Sequence, residues 1–257
     1  MASRRPQSQR PSSGPPAPAV DMAVVEQAVV ELRRRLQGAG RRDVAAALHR
    51  ELGDDTPLYG CKPADTHHIG LELLRRHRTG GLPFALAAGD LLFNGNLEEG
   101  QVGAQLVGAL ARLVTGGDFD RFETWTASLS NHQTADALGL ACVAPAMAAK
   151  PSIAIRLQGW AKDSSPWRRR AALAAFVPLV REGRFLTDAF EVAELVMTDP
   201  HPAVREAVAN LMVEASRLQA ERIAEFLVGW KDRAPEDLLR PAAAKLSPEQ
   251  RTAVLGA

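Results

Sequence analysis

A dense group of basic side chains marks the middle of the sequence. Between Lys150 and Arg184 there are eight basic residues and two acidic ones, whereas Asp90 to Ala148 holds two basic residues and seven acidic ones. The whole chain carries a formal net charge of only +1, so the uneven distribution is more informative than the total. Clustered guanidinium and ammonium groups bind phosphate, which favours a nucleic-acid-facing surface. A solvated charged face with no ligand is the alternative.

Other reactive side chains lack the spacing that metal or cofactor chemistry requires. Cys61 and Cys142 are far apart and have no CxxC partner, so we expect reduced thiols in a cytoplasmic protein. The histidines at 67, 68 and 77 belong to no HExxH or comparable ligand set. No glycine-rich phosphate loop follows a strand-like segment. We therefore expect no metal and no cofactor, and no apolar run is long enough to predict a membrane span.

The elements that position the basic group are predicted to be helices. From residue 21 onward, apolar residues recur at spacings of three and four, and no two strand-like runs flank a hairpin turn. Residues 1–20, rich in Pro, Ser and Arg, are predicted to form a disordered tail, and residues 21–257 a single all-α domain. Between the breakers, helices are predicted at 22–37, 41–52, 65–78, 83–93, 98–115, 119–128, 132–148, 151–162, 167–181, 186–198, 202–215, 219–231 and 235–245.

The C-terminal half contains an internal repeat. The segments SSPWRRRAALAAFVPLV and DPHPAVREAVANLMVEA superpose with Pro166 on Pro202, a spacing of 36 residues, and Arg169 then aligns with Arg205. Helix pairs of this length are typical of HEAT-like solenoids, in which stacked antiparallel pairs bury a shared apolar stripe. We therefore predict a HEAT-like helical repeat solenoid with a concave basic groove as its binding face.

Four short motifs, in order over residues 55–215, resemble those of the AlkD-like DNA alkylation repair family of HEAT-like repeat DNA glycosylases. The segment LQGWAKDSSPWRRRAAL resembles the family's signature of Trp, polar turn, Trp, Arg and small residues, and SNHQTADALGL resembles its Trp-Asp-x-Val-Asp helix start. The other two are PLYGCKPADTHHI, similar to a Phe-x-Gly-Val turn, and AGDLLFNGNLEEGQVGAQLV, similar to a Leu-Trp helix end followed by a Glu-rich helix.

This resemblance implies a function and its residues. Family members excise positively charged N3- or N7-alkylated purines from duplex DNA without a metal, so we expect a monomeric hydrolase that binds duplex DNA. The family's catalytic carboxylate matches Asp136 and its phosphate-side arginine matches Arg170. Its two site tryptophans match His132 and Asn210, which removes an aromatic clamp on a cationic base. A carboxylate beside the sugar stabilises the positive charge that develops there as the bond breaks.

Two neighbouring arginines complete the expected interface. Arg168 is expected to join the exposed basic face, and Arg169 also lies in this stretch, although its alignment with Arg205 favours a structural role. Trp160 and Trp167 are expected to pack between helices. Two other functions remain open: a non-catalytic protein that binds distorted or branched DNA through its backbone, and a HEAT-repeat scaffold for another protein.

Overall fold

The computed structural model describes residues 20–256, which form thirteen helices and contain no strand. The all-helical prediction is therefore confirmed for this part of the chain, whereas the tail predicted at residues 1–20 lies outside it except for residue 20. No helix between residues 20 and 256 combines the length and apolar character of a membrane span. The helices are α1 (Met22–Ala39), α2 (Arg42–Leu52), α3 (Pro63–Arg76), α4 (Gly81–Leu92), α5 (Leu97–Gly108), α6 (Phe119–Trp125), α7 (132–149), α8 (Ile153–Trp160), α9 (Pro166–Arg181), α10 (Leu186–Glu194), α11 (Pro202–Trp230), α12 (Glu236–Ala242) and α13 (Pro248–Leu255).

The helices stack in two layers, as expected of a repeat solenoid. Helices α3, α5, α7, α9 and α11 pack one against the next and form what we call the helix row. Helices α1, α4, α6, α8 and α10 lie on one side of the row, and aromatic pairs such as Phe119–Trp160, with ring centroids 5.3 Å apart, join them. Each pair is too small to bury its apolar face alone, so one continuous core runs along the whole stack.

Successive helices of the row run parallel, because side chains from their N-terminal halves meet. Gln101 of α5 donates to Gln133 of α7 across 2.8 Å. Arg170 of α9 in turn bonds to Asp136 of α7 and to the Ala203 carbonyl of α11. The N-terminal ends of α5, α7, α9 and α11 therefore lie along one edge of the row, and residues early in these helices become neighbours.

The 36-residue repeat is confirmed by hydrogen bonds that recur at the same spacing. Arg169 Nη1 donates to the carbonyls of Asp163 and Ser164, and Arg205 Nη1 donates to those of Asp199 and Pro200, each 36 residues further on. Both guanidinium groups also pair with an aspartate of the next repeat, Arg169 with Asp199 and Arg205 with Asp237. Each arginine thus closes the loop before its own helix and ties it to the following repeat.

Several predicted helix boundaries differ from the structure. The helix predicted at 98–115 ends at Gly108 and is followed by a 3-10 turn, Ala111–Leu113. By contrast, the break predicted between helices at 202–215 and 219–231 is present: α11 is two helices joined at a kink at Gln219, where φ is −137° and ψ is 41°. Helix α13 was not predicted; Ser247 and Gln250 form a capping box at its start.

Helix α7 contains a π-helical turn, Gly139–Val143, between the α-helical segments His132–Leu138 and Ala144–Ala149. Here α7 crosses α9 at very short range. A Cβ atom on Gly139 would lie 2.6 Å from the carbonyl oxygen of Ala171, 2.7 Å from the Ala174 Cβ and 2.9 Å from the Ala175 nitrogen. Only a residue without a side chain permits this approach, which sets the distance between Asp136 and Arg170 one turn away.

Substituting Gly139 should destabilise the protein because the added methyl group meets backbone atoms of α9 that have no room to move. We expect Gly139→Ala to lower the free energy of unfolding by about 1–3 kcal/mol, the range for overpacked cores. Gly159→Ala, in α8, is the matched control, since its Cβ would meet nothing within 4 Å. That control should raise stability by about 0.5–1 kcal/mol. Urea unfolding followed by circular dichroism measures both, and equal effects would contradict the close approach at Gly139.

Candidate active site and nucleic-acid interface

The structure brings Asp136 and Arg170 together at the edge of the helix row. Both oxygens of the Asp136 carboxylate accept hydrogen bonds from Arg170, from Nε and from Nη2, each at 2.7 Å. This two-pronged geometry fixes the orientation of both groups, because the planar guanidinium matches the planar carboxylate. The Asp136 side chain is 31% exposed, whereas that of Arg170 is 7% exposed. The carboxylate is thus open to a ligand, and the guanidinium lies beneath it.

A second carboxylate holds the other side of Arg170. Nη1 donates to Glu206 Oε2 at 2.8 Å and to the Ala203 carbonyl at 2.7 Å. Burial alone would lower the pKa of Arg170, but the hydrogen bonds and charges of Asp136 and Glu206 raise it above its ordinary value. The guanidinium is therefore permanently charged. We call Asp136, Arg170 and Glu206 the carboxylate–arginine triad; with Arg170 charged and both acids ionised, its formal charge is −1.

His132 lies one helical turn before Asp136 on α7, so both side chains share a face of the helix. Its Nε2 is 3.3 Å from Glu51 Oε1, near the end of α2. The same glutamate oxygen accepts from Gln133 Nε2 at 3.2 Å. No residue of α2 is buried. The end of α2 contacts the start of α7 through these polar groups.

Asn210 is exposed on α11, one turn after Glu206. Both residues line a cleft of about 270 Å³ between α11 and α12. The remaining walls are mostly apolar, formed by Pro202, Ala209, Val213 and Pro241, with the Arg205–Asp237 ion pair at one side. Glu206 thus both contacts Arg170 and lines the cleft, together with Asn210.

Arg168 and Arg169 do not project from the interface as free cations. Arg168 donates to Glu123 at 2.9 Å and to Asp163 at 3.2 Å, and its guanidinium lies over the Trp160 ring. The expectation that it joins an exposed basic face is not met. Arg169 binds both Asp199 oxygens, at 2.6 and 2.9 Å, and its side chain is 12% exposed. Arg169 thus has the structural role that its alignment with Arg205 suggested, rather than lining the site.

The basic residues between positions 150 and 184 do not form the concave groove of free cations that the sequence predicted. Of the eight basic residues between positions 150 and 184, six form ion pairs, most with carboxylates from neighbouring helices: Arg156, Arg168, Arg169, Arg170, Arg181 and Arg184. Lys150 and Lys162 are exposed and form no ion pair with any residue that the structure describes. The count of cations therefore overstated the positive charge of the surface. Three of the six arginines pair with carboxylates from the acidic stretch before the block, and the other three pair with carboxylates within it or after it.

The two tryptophans at 160 and 167 and the two cysteines lie mostly in the core. Trp160 is buried, stacks on Phe119 and donates to Glu123 at 2.9 Å, whereas Trp167 is half-buried and meets His201 edge-on. Burial alone would raise the pKa of Glu123, but hydrogen bonds from Trp160 and Arg156 lower it. Cys61 and Cys142 are free and buried. Among residues 20–256, no group of three His, Cys, Asp or Glu side chains could hold a metal ion.

Sequence reasoning did not assign roles to Glu206 or Glu51. A signal for Glu206 was present, since the 36-residue repeat places it at the position of Arg170. Residues at matching positions on adjacent parallel helices lie side by side. Opposite charges at positions 170 and 206 therefore predict an ion pair. No comparable signal marks Glu51, because it reaches His132 from a helix outside the repeated row, across 81 residues.

Comparison with known proteins identifies the family. The model of the family described as DNA alkylation repair enzyme matches residues 32–246, well over half of the 257-residue chain. No curated protein matches the sequence at a significant level. The chain therefore belongs to the AlkD-like family of DNA alkylation repair enzymes, which the four sequence motifs had indicated.

Removing the Arg170 side chain should destabilise the protein, because two carboxylates and a carbonyl lose their shared donor. We expect Arg170→Ala to lower the free energy of unfolding by about 3 kcal/mol, as for other broken buried ion pairs. Lys162→Ala, in the same basic stretch but exposed, should change it by less than about 0.5 kcal/mol. Urea unfolding gives both values. A small loss for Arg170→Ala would mean that the triad contributes little to the stacking of α7, α9 and α11.

Proposed function

We propose that this protein is a DNA glycosylase-like repair enzyme that hydrolyses the N-glycosidic bond of cationic N3- or N7-alkylpurines in duplex DNA. Membership of the alkylation repair family supports the repair role. The observation that carries the finer proposal is the pairing of Asp136 with Arg170, which holds a solvent-facing carboxylate in one orientation on the row. A pre-positioned anion is what stabilisation of a sugar cation requires.

The reaction needs little more than this anion and a water molecule. When the bond between C1′ and the ring nitrogen breaks, its electron pair moves to the alkylated base, which leaves as a neutral molecule. Positive charge then develops on the deoxyribose. In the proposed complex Asp136 lies beside this sugar, and its carboxylate stabilises the charge. Water adds its oxygen to C1′ and releases a proton. No strong general acid is required, because the leaving base is cationic from the start.

In this proposal, duplex DNA lies along the edge of the row where the helices begin. The triad is at this edge, and Lys62 and Lys162 are exposed cations in the segments that lead into α3 and α9. Arg170 would contact a backbone phosphate next to the lesion. His132 and Asn210 would flank the lesion, without the aromatic faces of the family's tryptophans. In this proposal DNA binds along this edge, rather than in the strongly basic groove that the sequence predicted.

A non-catalytic DNA-binding protein is the second candidate. It is favoured by the absence of tryptophan at positions 132 and 210 and by the engagement of Arg170 with two carboxylates. Both candidates require duplex binding that weakens steeply with salt, since phosphate contacts release counterions. Salt-independent or absent duplex binding would instead leave the protein-scaffold interpretation.

Loss of the Asp136 charge should abolish base excision. We expect the wild-type protein to release 7-methylguanine or 3-methyladenine from methylated duplex DNA, and Asp136→Asn to slow release by about a hundredfold or more. Chromatography of released bases under single-turnover conditions measures the rate. Glu194→Gln, an exposed carboxylate on α10, is the control and should keep full activity. Circular dichroism checks that Asp136→Asn remains folded. If the wild type releases no base at high enzyme concentration, the glycosylase proposal is wrong.

Replacing the imidazole ring at position 132 by an indole should strengthen binding of damaged DNA. An indole ring can stack on a cationic base, an interaction worth about 0.5–2 kcal/mol. We therefore expect His132→Trp to bind methylated duplex about tenfold more tightly, with little change for undamaged duplex. His68→Trp, on the exposed surface of α3, is the control. Fluorescence anisotropy with both duplexes measures the affinities, and an equal gain for the two variants would place position 132 outside the site.

A further inference from the structure

The triad leaves Arg170 little capacity for a new ligand. A guanidinium has five N–H donors, and four are used: Nε and one Nη2 hydrogen by Asp136, and two Nη1 hydrogens by Glu206 and Ala203. A phosphate oxygen therefore reaches Arg170 through one remaining Nη2 hydrogen unless a present partner leaves. The question is which partner is easiest to displace.

Glu206 is the weakest of the three partners. Asp136 binds through both oxygens, and the Ala203 carbonyl belongs to the backbone of α11. Glu206 uses a single oxygen at 2.8 Å, and its side chain is 69% exposed. Water can solvate this exposed carboxylate after it leaves, whereas the buried guanidinium needs another anionic oxygen in its place. A phosphate presents the same kind of anionic oxygen to the same donor, with more negative charge close by on the duplex.

We propose that Glu206 is a displaceable substitute for phosphate: in the free protein it occupies Arg170 Nη1, and duplex DNA binds by exchanging a backbone phosphate for it. The proposal rests on the proposed function insofar as DNA contacts Arg170. Because Glu206 leaves and Asp136 stays, the arginine keeps the catalytic carboxylate oriented while it binds DNA. Glu206 is thus a residue that controls access of DNA to the site.

The structure provides a place for the displaced carboxylate. Glu206 and Asn210, one helical turn apart, both line the cleft between α11 and α12. Residues four apart on a helix are neighbours, so the Asn210 amide can donate to Glu206 once it leaves Arg170. The displaced carboxylate therefore has a polar neighbour within the cleft.

The exchange would lower affinity for undamaged DNA. While Glu206 is in place, the triad carries a formal charge of −1 and repels phosphate. Each binding event must break one ion pair to form another, so the contact between Arg170 and phosphate adds less to affinity than it would alone. A lesion that adds a positive charge near Asp136 offsets this cost, whereas a normal base does not.

The test compares two substitutions that differ in charge but share the loss of the contact. Glu206→Gln removes the charge, and Glu206→Asp keeps the charge on a side chain one methylene shorter, which no longer reaches Arg170 in the same position. We expect both to bind undamaged duplex about five- to tenfold more tightly than wild type. Glu194→Gln, which removes a charge elsewhere on the surface, should stay within about twofold. Fluorescence anisotropy at fixed salt concentration gives the affinities, and thermal unfolding confirms that each variant is folded.

Each outcome decides the inference. A gain for both Glu206 variants supports displacement, whereas a gain for Glu206→Gln alone would show only general charge repulsion and overturn it. No gain for either variant overturns it as well. The glycosylase proposal is judged separately, by base release from methylated duplex. If wild type releases base and both Glu206 variants bind as wild type, this inference alone fails; if the variants bind more tightly but no base is released, the catalytic proposal alone fails.

Discussion

A buried guanidinium is the constraint on which this site depends. Moving the charge of Arg170 away from water is costly, and the cost is offset only if anionic partners meet it with good geometry. Those partners come from different helices: Asp136 from α7, and Glu206 with the Ala203 carbonyl from α11. The three helices must therefore be parallel and in register. One charge thus links the local chemistry of the edge to the stacking of the whole row.

Two adjacent arginines on α9 show how strongly position determines role. Arg169 turns back to the loop before its own helix and pairs with Asp199, and Arg205 repeats this arrangement one unit later. Arg170, one residue further along, points about 100° away around the helix and meets α7 and α11. Arg169 makes contacts that recur in the next repeat. Arg170 has no arginine counterpart there, because Glu206 occupies the matching position. Identical side chains therefore serve the scaffold and the site.

The sequence predicted the helices, the 36-residue repeat and the family because each depends on local patterns: apolar spacing, prolines at helix starts and short motifs. It did not predict how the basic stretch is neutralised, since ion pairs such as Arg156 with Asp120 join residues 36 apart and depend on tertiary packing. It named Asp136 and Arg170 but expected the arginine to face the groove. The internal ion pair was foreseeable in principle, because opposite charges recur at positions 136, 170 and 206, spaced by 34 and 36 residues.

The π-helical turn in α7 has a consequence for how this chain is compared with its relatives. Five residues, Gly139–Val143, are accommodated where a regular helix would keep a steady 100° rotation per residue, so the phase of the helix shifts by about one residue. Positions before the turn, which include His132 and Asp136, therefore differ in helical phase from positions after it, which begin at Ala144. For any relative whose corresponding helix is regular throughout, an alignment without a gap in α7 would place the second half of the helix on the wrong face. Equivalence between relatives is best assigned separately for each half, with a one-residue gap allowed at the turn.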